Sequence, residues 1–388
     1  MIDSPMASAR LMTYLKELVS IDSVNPDLVP GGAGESRIAA KLAEICAEDF
    51  ALAVESSAVT PGRPNVIAHW PGSGAGQSLL LTGHMDVVGV ADYRGEPFSP
   101  KVRDGRLYGR GAYDMKGGIA AILAAICILQ ENDFHPAGDI WLGFVCDEEY
   151  ASIGTEALVQ RLRPDAAILT EPTDEIISIA HRGFAWVEIS TAGLAAHGSD
   201  FVHGRDAIRH MAPILERIRS LEEEVYPQIQ HPLLGRSSVH ASRIEGGTEW
   251  STYPDSCTLW IEHRTLPGDS GDQIVTDWRD FIRNEKKQRQ DFDATVHLKL
   301  ERPPLAIEPT QAIVQALATA HTQCFDNPAP IGASFGWLDS AILVAAGIPT
   351  VIFGPKGHGA HAAEEWVDPA SVERCAQVIA ECCRRWCS

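Results

Sequence analysis

Two short words in this chain, Gly83-His84-Met85-Asp86 and Cys146-Asp147-Glu148-Glu149, each follow an apolar, β-rich run. That position puts a histidine and a set of carboxylates at strand ends, where one surface can collect them. Asp114 lies between the two words, in Gly109-Arg110-Gly111-Ala112-Tyr113-Asp114-Met115-Lys116-Gly117-Gly118. Glu171-Pro172 and Gly359-Ala360-His361 follow downstream. Imidazole nitrogen and carboxylate oxygen are the donors that a pair of zinc-like ions takes. Five such groups with one spare glutamate outline a two-metal hydrolase.

The spacings sharpen that outline. In an extended stretch His84 and Asp86 face the same side. Asp86 can then accept the second ring N–H and fix which nitrogen faces a metal. Asp114 precedes a glycine pair and a helix, and its two oxygens suit sharing between ions about 3.5–4 Å apart. Glu148 and Glu149 are adjacent acids after a hydrophobic strand. If one binds metal, the other can stay free to take a proton from bound water. Singly, a strand-end His–Asp pair, a helix-start Asp or an acidic turn needs no metal; convergence in one fold is what gives them a common purpose.

The elements that must position these residues follow from apolar periodicity. Helical spacing is expected over 7–20 and 36–48, broken by Gly31-Gly32-Ala33-Gly34. Short β-rich runs occupy 64–69 and 78–83, a buried helix 116–130, a central strand 139–146, and a further strand 165–170 that ends at Glu171. Such alternation predicts a three-layer α/β domain with a largely parallel sheet. Functional residues then gather at the C-terminal strand ends, and His84, Glu148 and Glu171 all lie there. The middle has another rhythm: strand 184–191, helix 204–224, strands 238–245 and 256–264, helix 269–288, strand 294–300. That β-α-β-β-α-β order is the split pattern of a ferredoxin-like domain. After Arg302-Pro303-Pro304, helices at 310–325 and 369–386 return to the first domain. Ligand-type residues come from both sides of the middle, so the site closes only if the middle is an insertion. The expected division is 1–181 with 302–388, and 182–301 inserted.

Composition narrows the remaining classes. A chain of 388 residues exceeds the usual single-core limit, so two domains are expected. The formal net charge of −20 disfavours binding to nucleic acid or an anionic membrane. The N-terminus has Asp3 where a secretory leader would be basic, and the longest apolar run, 119–129, is shorter than the ~20 residues a bilayer requires. Nine cysteines, an odd number without secreted-framework spacing, point to reduced thiols in the cytoplasm. Four of them, Cys375, Cys382, Cys383 and Cys387, crowd one amphipathic helix as core thiols.

The words TGHMDVV, GRGAYDMKGG, CDEE, TEP, AAHGS and FGP…GAHAAEEWV run in order through nearly the whole chain. Together they resemble the metallopeptidase family of acetylornithine deacetylase, succinyl-diaminopimelate desuccinylase, aminoacylase and glutamate carboxypeptidase. The resemblance implies a zinc-peptidase catalytic domain with an inserted dimerisation domain. It implies two zinc ions, with cobalt or manganese able to substitute. His84 and Glu171 would hold one ion, Glu149 and His361 the other, and Asp114 would bridge them. Asp86 would orient His84, and Glu148 would be the general base and acid. In the middle domain, His197 matches the family histidine that reaches the partner subunit's site in a homodimer, and Arg264 matches the arginine that holds a substrate carboxylate. Ser251 and Gly354 would also touch substrate.

Two departures concern the substrate. Ser251 stands where the family often has asparagine, and His263 replaces the usual acid before Arg264. Trp250, Trp337 and Tyr253 could bring aromatic surface towards the pocket, although tryptophan is more often simply core. The expected reaction is cleavage of the amide bond of an N-acyl amino acid. A carboxypeptidase or dipeptidase acting on short peptides is the alternative. A non-catalytic binding homologue is the third reading, and the retention of Glu148 with the full ligand set argues against it.

Overall fold

The computed structural model of the chain describes residues 5–388, so Asp3 lies outside the described residues. They form two compact units. One comprises the chain as far as Ile179 together with Ile307–Ala333 and Leu338–Ser388. The other runs from Ala180 to Ala306 and includes Ser334–Trp337.

The first unit is built on a mixed sheet whose centre is parallel. Ile140–Val145, Leu79–His84, Ala166–Leu169 and Thr350–Ile352 are neighbours in that order, each parallel to the next. Leu79–His84 and Ala166–Leu169 are buried at every position, which is why they read as unbroken apolar runs rather than alternating ones. The flanks depart from the expected parallel pattern. Arg63–Trp70 joins Ile140–Val145 antiparallel and forms a hairpin with Ala53–Thr60, while Ile177–His181 meets Thr350–Ile352 antiparallel. Gly62, at φ +81°, supplies the left-handed residue of that hairpin turn.

Helix Gly117–Glu131 is apolar all round and buried from Gly117 to Leu129, between the helices Pro5–Ser20 and Pro369–Trp386. With the preceding turn, the stretch Ala112–Glu131 is long and apolar enough to cross a membrane, but its burial makes it the core helix of this unit. A Cβ on Gly118 would come within 1.9 Å of Thr170 O, so glycine there lets the helix start close on the strand end that leads to Glu171.

The second unit has the β-α-β-β-α-β order of a ferredoxin-like domain. Its sheet runs Ser238–Gly246, Ser256–Thr265, Gly183–Ala192, Ala294–Arg302, antiparallel throughout. One face carries Val187, Ile189, Leu259 and Ile261 against Ile214, Ile218, Val275 and Trp278 of the helices. The helix expected over 204–224 is instead divided into Ala207–His210 and Ala212–Ser220, followed by a wider turn at Leu221–Val225. Pro213, which has no N–H to donate, sits in the first turn of the second piece, where a helix tolerates it. Ser238–Gly246 is an edge strand, exposed from His240 onward.

Candidate active site

His84 is the last residue of its strand, and its Nε2 faces three acids: Asp114 Oδ1 at 3.2 Å, Glu171 Oε1 at 3.5 Å and Glu148 Oε2 at 3.9 Å. His361, from the far end of the chain, places Nε2 at 3.0 Å from Glu149 Oε2 and 3.4 Å from Asp114 Oδ2. Asp114 thus turns one oxygen to each histidine. Two donor groups result, His84–Asp114–Glu171 and Asp114–Glu149–His361, with the donor atoms of each within 4.8 Å of one another.

The donors fit divalent cations. Glu149 Oε1 and Glu171 Oε1 are buried without a hydrogen-bond partner, an arrangement that costs free energy unless a cation answers it. Burial pushes Glu148 and Glu171 well above the usual carboxylate range, only partly offset by the His84 charge. Glu149 rises as well, through burial and the neighbouring Asp114. Burial alone would lower His84, but the charge of Glu171 and the bonds to Asp114 and Asp86 reverse it, so this histidine sits well above its usual value. His361 is pushed up to about 10 by Asp114 and Glu149. Shifts in these directions are what crowded acids around two imidazoles produce, and a cation is the group that would neutralise those acids.

Outer residues fix these side chains. His84 Nδ1 lies 3.0 Å from the main-chain oxygen of Asp86 and 3.6 Å from its Oδ1, so the carbonyl takes the ring N–H and leaves Nε2 for the donor group. The Asp86 carboxylate stays beside the ring and also holds the acidic word. Oδ1 accepts the Glu148 main-chain N–H at 3.2 Å, and Oδ2 accepts that of Glu149 at 3.1 Å and Asn25 Nδ2 at 2.8 Å. Asn25 also donates to Asp147 Oδ1 at 2.9 Å, and Arg63 ties Asp147 Oδ1 to Glu35. The acidic word is thereby held from beneath, with Asp147 itself at φ +71°.

Glu365 does the same for Asp114. Its Oε1 accepts the main-chain N–H groups of Tyr113 and Asp114, and its Oε2 accepts Gly111 N–H and Arg110 Nη1. Arg110 Nη2 continues to Ala362 O at 2.9 Å, beside His361. Asn25, Glu35, Arg63, Asp147, Arg110 and Glu365 are not in the ligand pattern read from the sequence. Arg110, Asp147 and Glu365 had a signal, since each belongs to a motif word, but their partners lie too far along the chain to be read off.

Gly354 belongs to the first unit, where a Cβ would come within 2.2 Å of Glu171 O; the residue lets the 350–354 segment close on the Glu171 backbone. The other three candidates lie in the second unit. His197 is exposed, and its Nδ1 takes the Ser199 main-chain N–H at 3.3 Å and the Ser199 hydroxyl at 2.8 Å, so its hydrogen sits on Nε2. Ser251 is next to it: its carbonyl accepts the Gly198 N–H at 2.7 Å. Arg264 Nε donates to Glu262 Oε1 at 2.6 Å, and its guanidinium lies over the Phe184 ring. His263 points to the opposite, buried face of the strand.

Residues 80–385 match the model of Peptidase family M20/M25/M40, and the chain belongs to that family. Membership makes it a hydrolase of carbon–nitrogen bonds. N-formyl-4-amino-5-aminomethyl-2-methylpyrimidine deformylase of Bacillus subtilis (strain 168) is 28% identical, across 97% of this chain and 95% of that protein. Acetylornithine deacetylase of Aliivibrio fischeri (strain MJ11) is 30% identical, across 70% of this chain and 72% of its own length. Among solved structures, aminopeptidase PepT from Bacillus cereus ATCC 10987 has the same fold, with a TM-score of 0.81, 20% identity, and coverage of 98% and 99% of the two chains. The Bacillus subtilis YXEP protein, a dinuclear metal binding peptidase from the M20 family, gives a TM-score of 0.76 at 16% identity, covering 99% of each chain.

Proposed function

We propose that the protein removes the acyl group from N-acylated amino acids. Glu148 carries the reading. It belongs to neither donor group, yet its Oε2 stands 3.9 Å from His84 Nε2, beside the donors rather than among them. Two divalent cations, zinc in this proposal with cobalt or manganese as substitutes, would be held by His84, Asp114 and Glu171 and by Asp114, Glu149 and His361, and would supply positive charge for acidifying water and polarising the amide carbonyl. Glu148 takes the proton of the attacking water and returns it to the amide nitrogen as the C–N bond breaks. Burial favours its protonated form, which suits a group that must hold a proton between those two events.

His197 acts in this reading as a donor to the carbonyl oxygen as that oxygen gains charge, a role supported by the hydrogen on its Nε2. Arg264 pairs with the substrate carboxylate through the guanidinium nitrogens that Glu262 leaves free. Ser251 and Gly354 line the substrate's path. The working form is a homodimer through the second unit, whose exposed edge strand is an unmet pairing surface, with His197 of each chain serving the other's site. The nine cysteines, all free thiols, favour the cytoplasm.

Removal of an acyl group is preferred to peptide cleavage because the two relatives are by name a deformylase and a deacetylase. Amine release by zinc-loaded protein from N-formyl, N-acetyl and N-succinyl amino acids, set against unblocked dipeptides, tests this. The N-acyl amino acids should give the higher kcat/KM. Faster turnover of dipeptides, or no turnover of any N-acyl amino acid, would overturn it.

A further inference from the structure

The second unit contains a cavity of about 230 Å³ whose lining, apart from Arg264 on the opposite face of its strand from His263, takes no part in the chemistry above. Buried His263 and Trp278 line it, Leu221, Val225 and Ile274 give it apolar walls, and Asp269 and Asp277 stand on its exposed side. Its size suits a ligand smaller than the drug-sized class, which occupies ~300–1,000 Å³.

A chain of hydrogen bonds in its lining ends on a loose donor. Indole has a donor and no acceptor, so Trp278 Nε1–H donates to His263 Nε2 at 3.0 Å. A neutral imidazole that accepts at Nε2 carries its hydrogen on Nδ1. That hydrogen goes to Tyr226 Oη, 2.9 Å away. Tyr226 therefore cannot donate to His263, and among the described residues no other acceptor meets its hydroxyl hydrogen. Burial keeps His263 neutral, with its pKa pushed down to about 4, so the polarity of the chain persists at neutral pH.

The rest of the lining supplies both signs of charge. The Arg217 guanidinium donates to no acceptor among the described residues and lies over the Phe281 ring, 5.9 Å from its centroid. Asp269 Oδ2 accepts Ser237 Oγ and the Leu266 N–H, which leaves Oδ1. Asp277 Oδ1 accepts Gln273 Nε2, which leaves Oδ2. A simple carboxylate would answer Tyr226 and Arg217 but face two acids. A simple amine would answer the acids and leave both donors unmet. A zwitterion satisfies both sets, and an apolar side chain fills the space against Leu221, Val225 and Ile274. We propose that this cavity binds a free α-amino acid with a branched apolar side chain, independently of the reaction at the metal-ligand cluster.

The Trp278 indole N–H resonance, identified by its loss in Trp278→Phe, reports on this cavity rather than on the active site. L-leucine should shift it saturably. Isocaproate and isoamylamine, which each keep one charge, should bind about tenfold more weakly or worse. Tyr226→Phe and Arg217→Gln should each weaken leucine by about tenfold or more. The Arg217 guanidinium has no hydrogen bond to lose, so its variant keeps the test open if Tyr226→Phe fails to fold. An unmoved resonance, equal binding of either half-molecule, or leucine affinity unchanged in Arg217→Gln would overturn the proposal.

Discussion

Glu365 Oε1 accepts the main-chain N–H of Asp114 at 3.0 Å, so a carboxylate in the His361 segment fixes the loop that carries Asp114. Asp114 serves both donor groups, and a loose Asp114 loop therefore weakens both. Glu365→Gln exchanges an acceptor oxygen for an amide that opposes main-chain N–H groups. Removing an outer partner of a metal ligand typically costs 10- to 100-fold in affinity, about that much here. Zinc affinity measured by chelator competition should fall on that scale. An unchanged affinity would show that the loop holds itself.

The buried network beneath the acidic word makes a different prediction. Arg63 pairs with Glu35 and Asp147, all buried, so Arg63→Met leaves two acids uncompensated. Breaking a buried pair from one side costs about 3–5 kcal/mol. Asn25→Ala removes a neutral donor shared by Asp86 and Asp147, at a cost of about 1–3 kcal/mol. Urea unfolding should rank Arg63→Met as the more destabilised variant. The reverse order would place the strain on Asp86 instead.

How much of this was legible in the sequence differs by element. The buried strand 79–84 and the acidic word after 140–145 were readable because local apolar runs end on polar words. The antiparallel hairpin over 53–70 was not, since Ala53–Thr60 is mostly exposed and carries no apolar stripe. The position of Asp114 between two histidines was implied by motif order, but Asn25, Arg63 and Glu365 act through bonds that span long stretches of chain. Such pairings depend on tertiary folding, which no local spacing reports. His263 was readable only as a departure; burial beside Trp278 and Tyr226 explains it.

That burial sets a pH dependence. His263 is held at about 4 against a usual 6.5, so the unfolded chain binds a proton below about pH 6.5 while the folded chain refuses it until about pH 4. Its contribution is complete above the unfolded value and is lost as pH falls towards the folded one, by roughly 3 kcal/mol. Urea midpoints compared at about pH 7 and pH 4.5 should fall more for wild type than for His263→Gln. Equal falls would assign the acid sensitivity to other groups.

His197→Ala should retain its metal and lose about 10²–10³ in turnover, the usual cost of one oxyanion donor. Mixing it with inactive Glu148→Gln under subunit exchange should restore some activity, because one site of the mixed dimer regains both groups. Exchange without recovery would show that His197 does not act across subunits.

The central claim is that Glu148 moves protons while its neighbour Glu149 belongs to a donor group. Metal content and turnover of Glu148→Gln, determined on the same zinc-loaded sample, test it most directly. The account predicts about two zinc equivalents per chain, as in wild type, with turnover of N-acyl amino acids reduced by at least about 10². Loss of zinc in step with turnover, or turnover close to wild type, would contradict it.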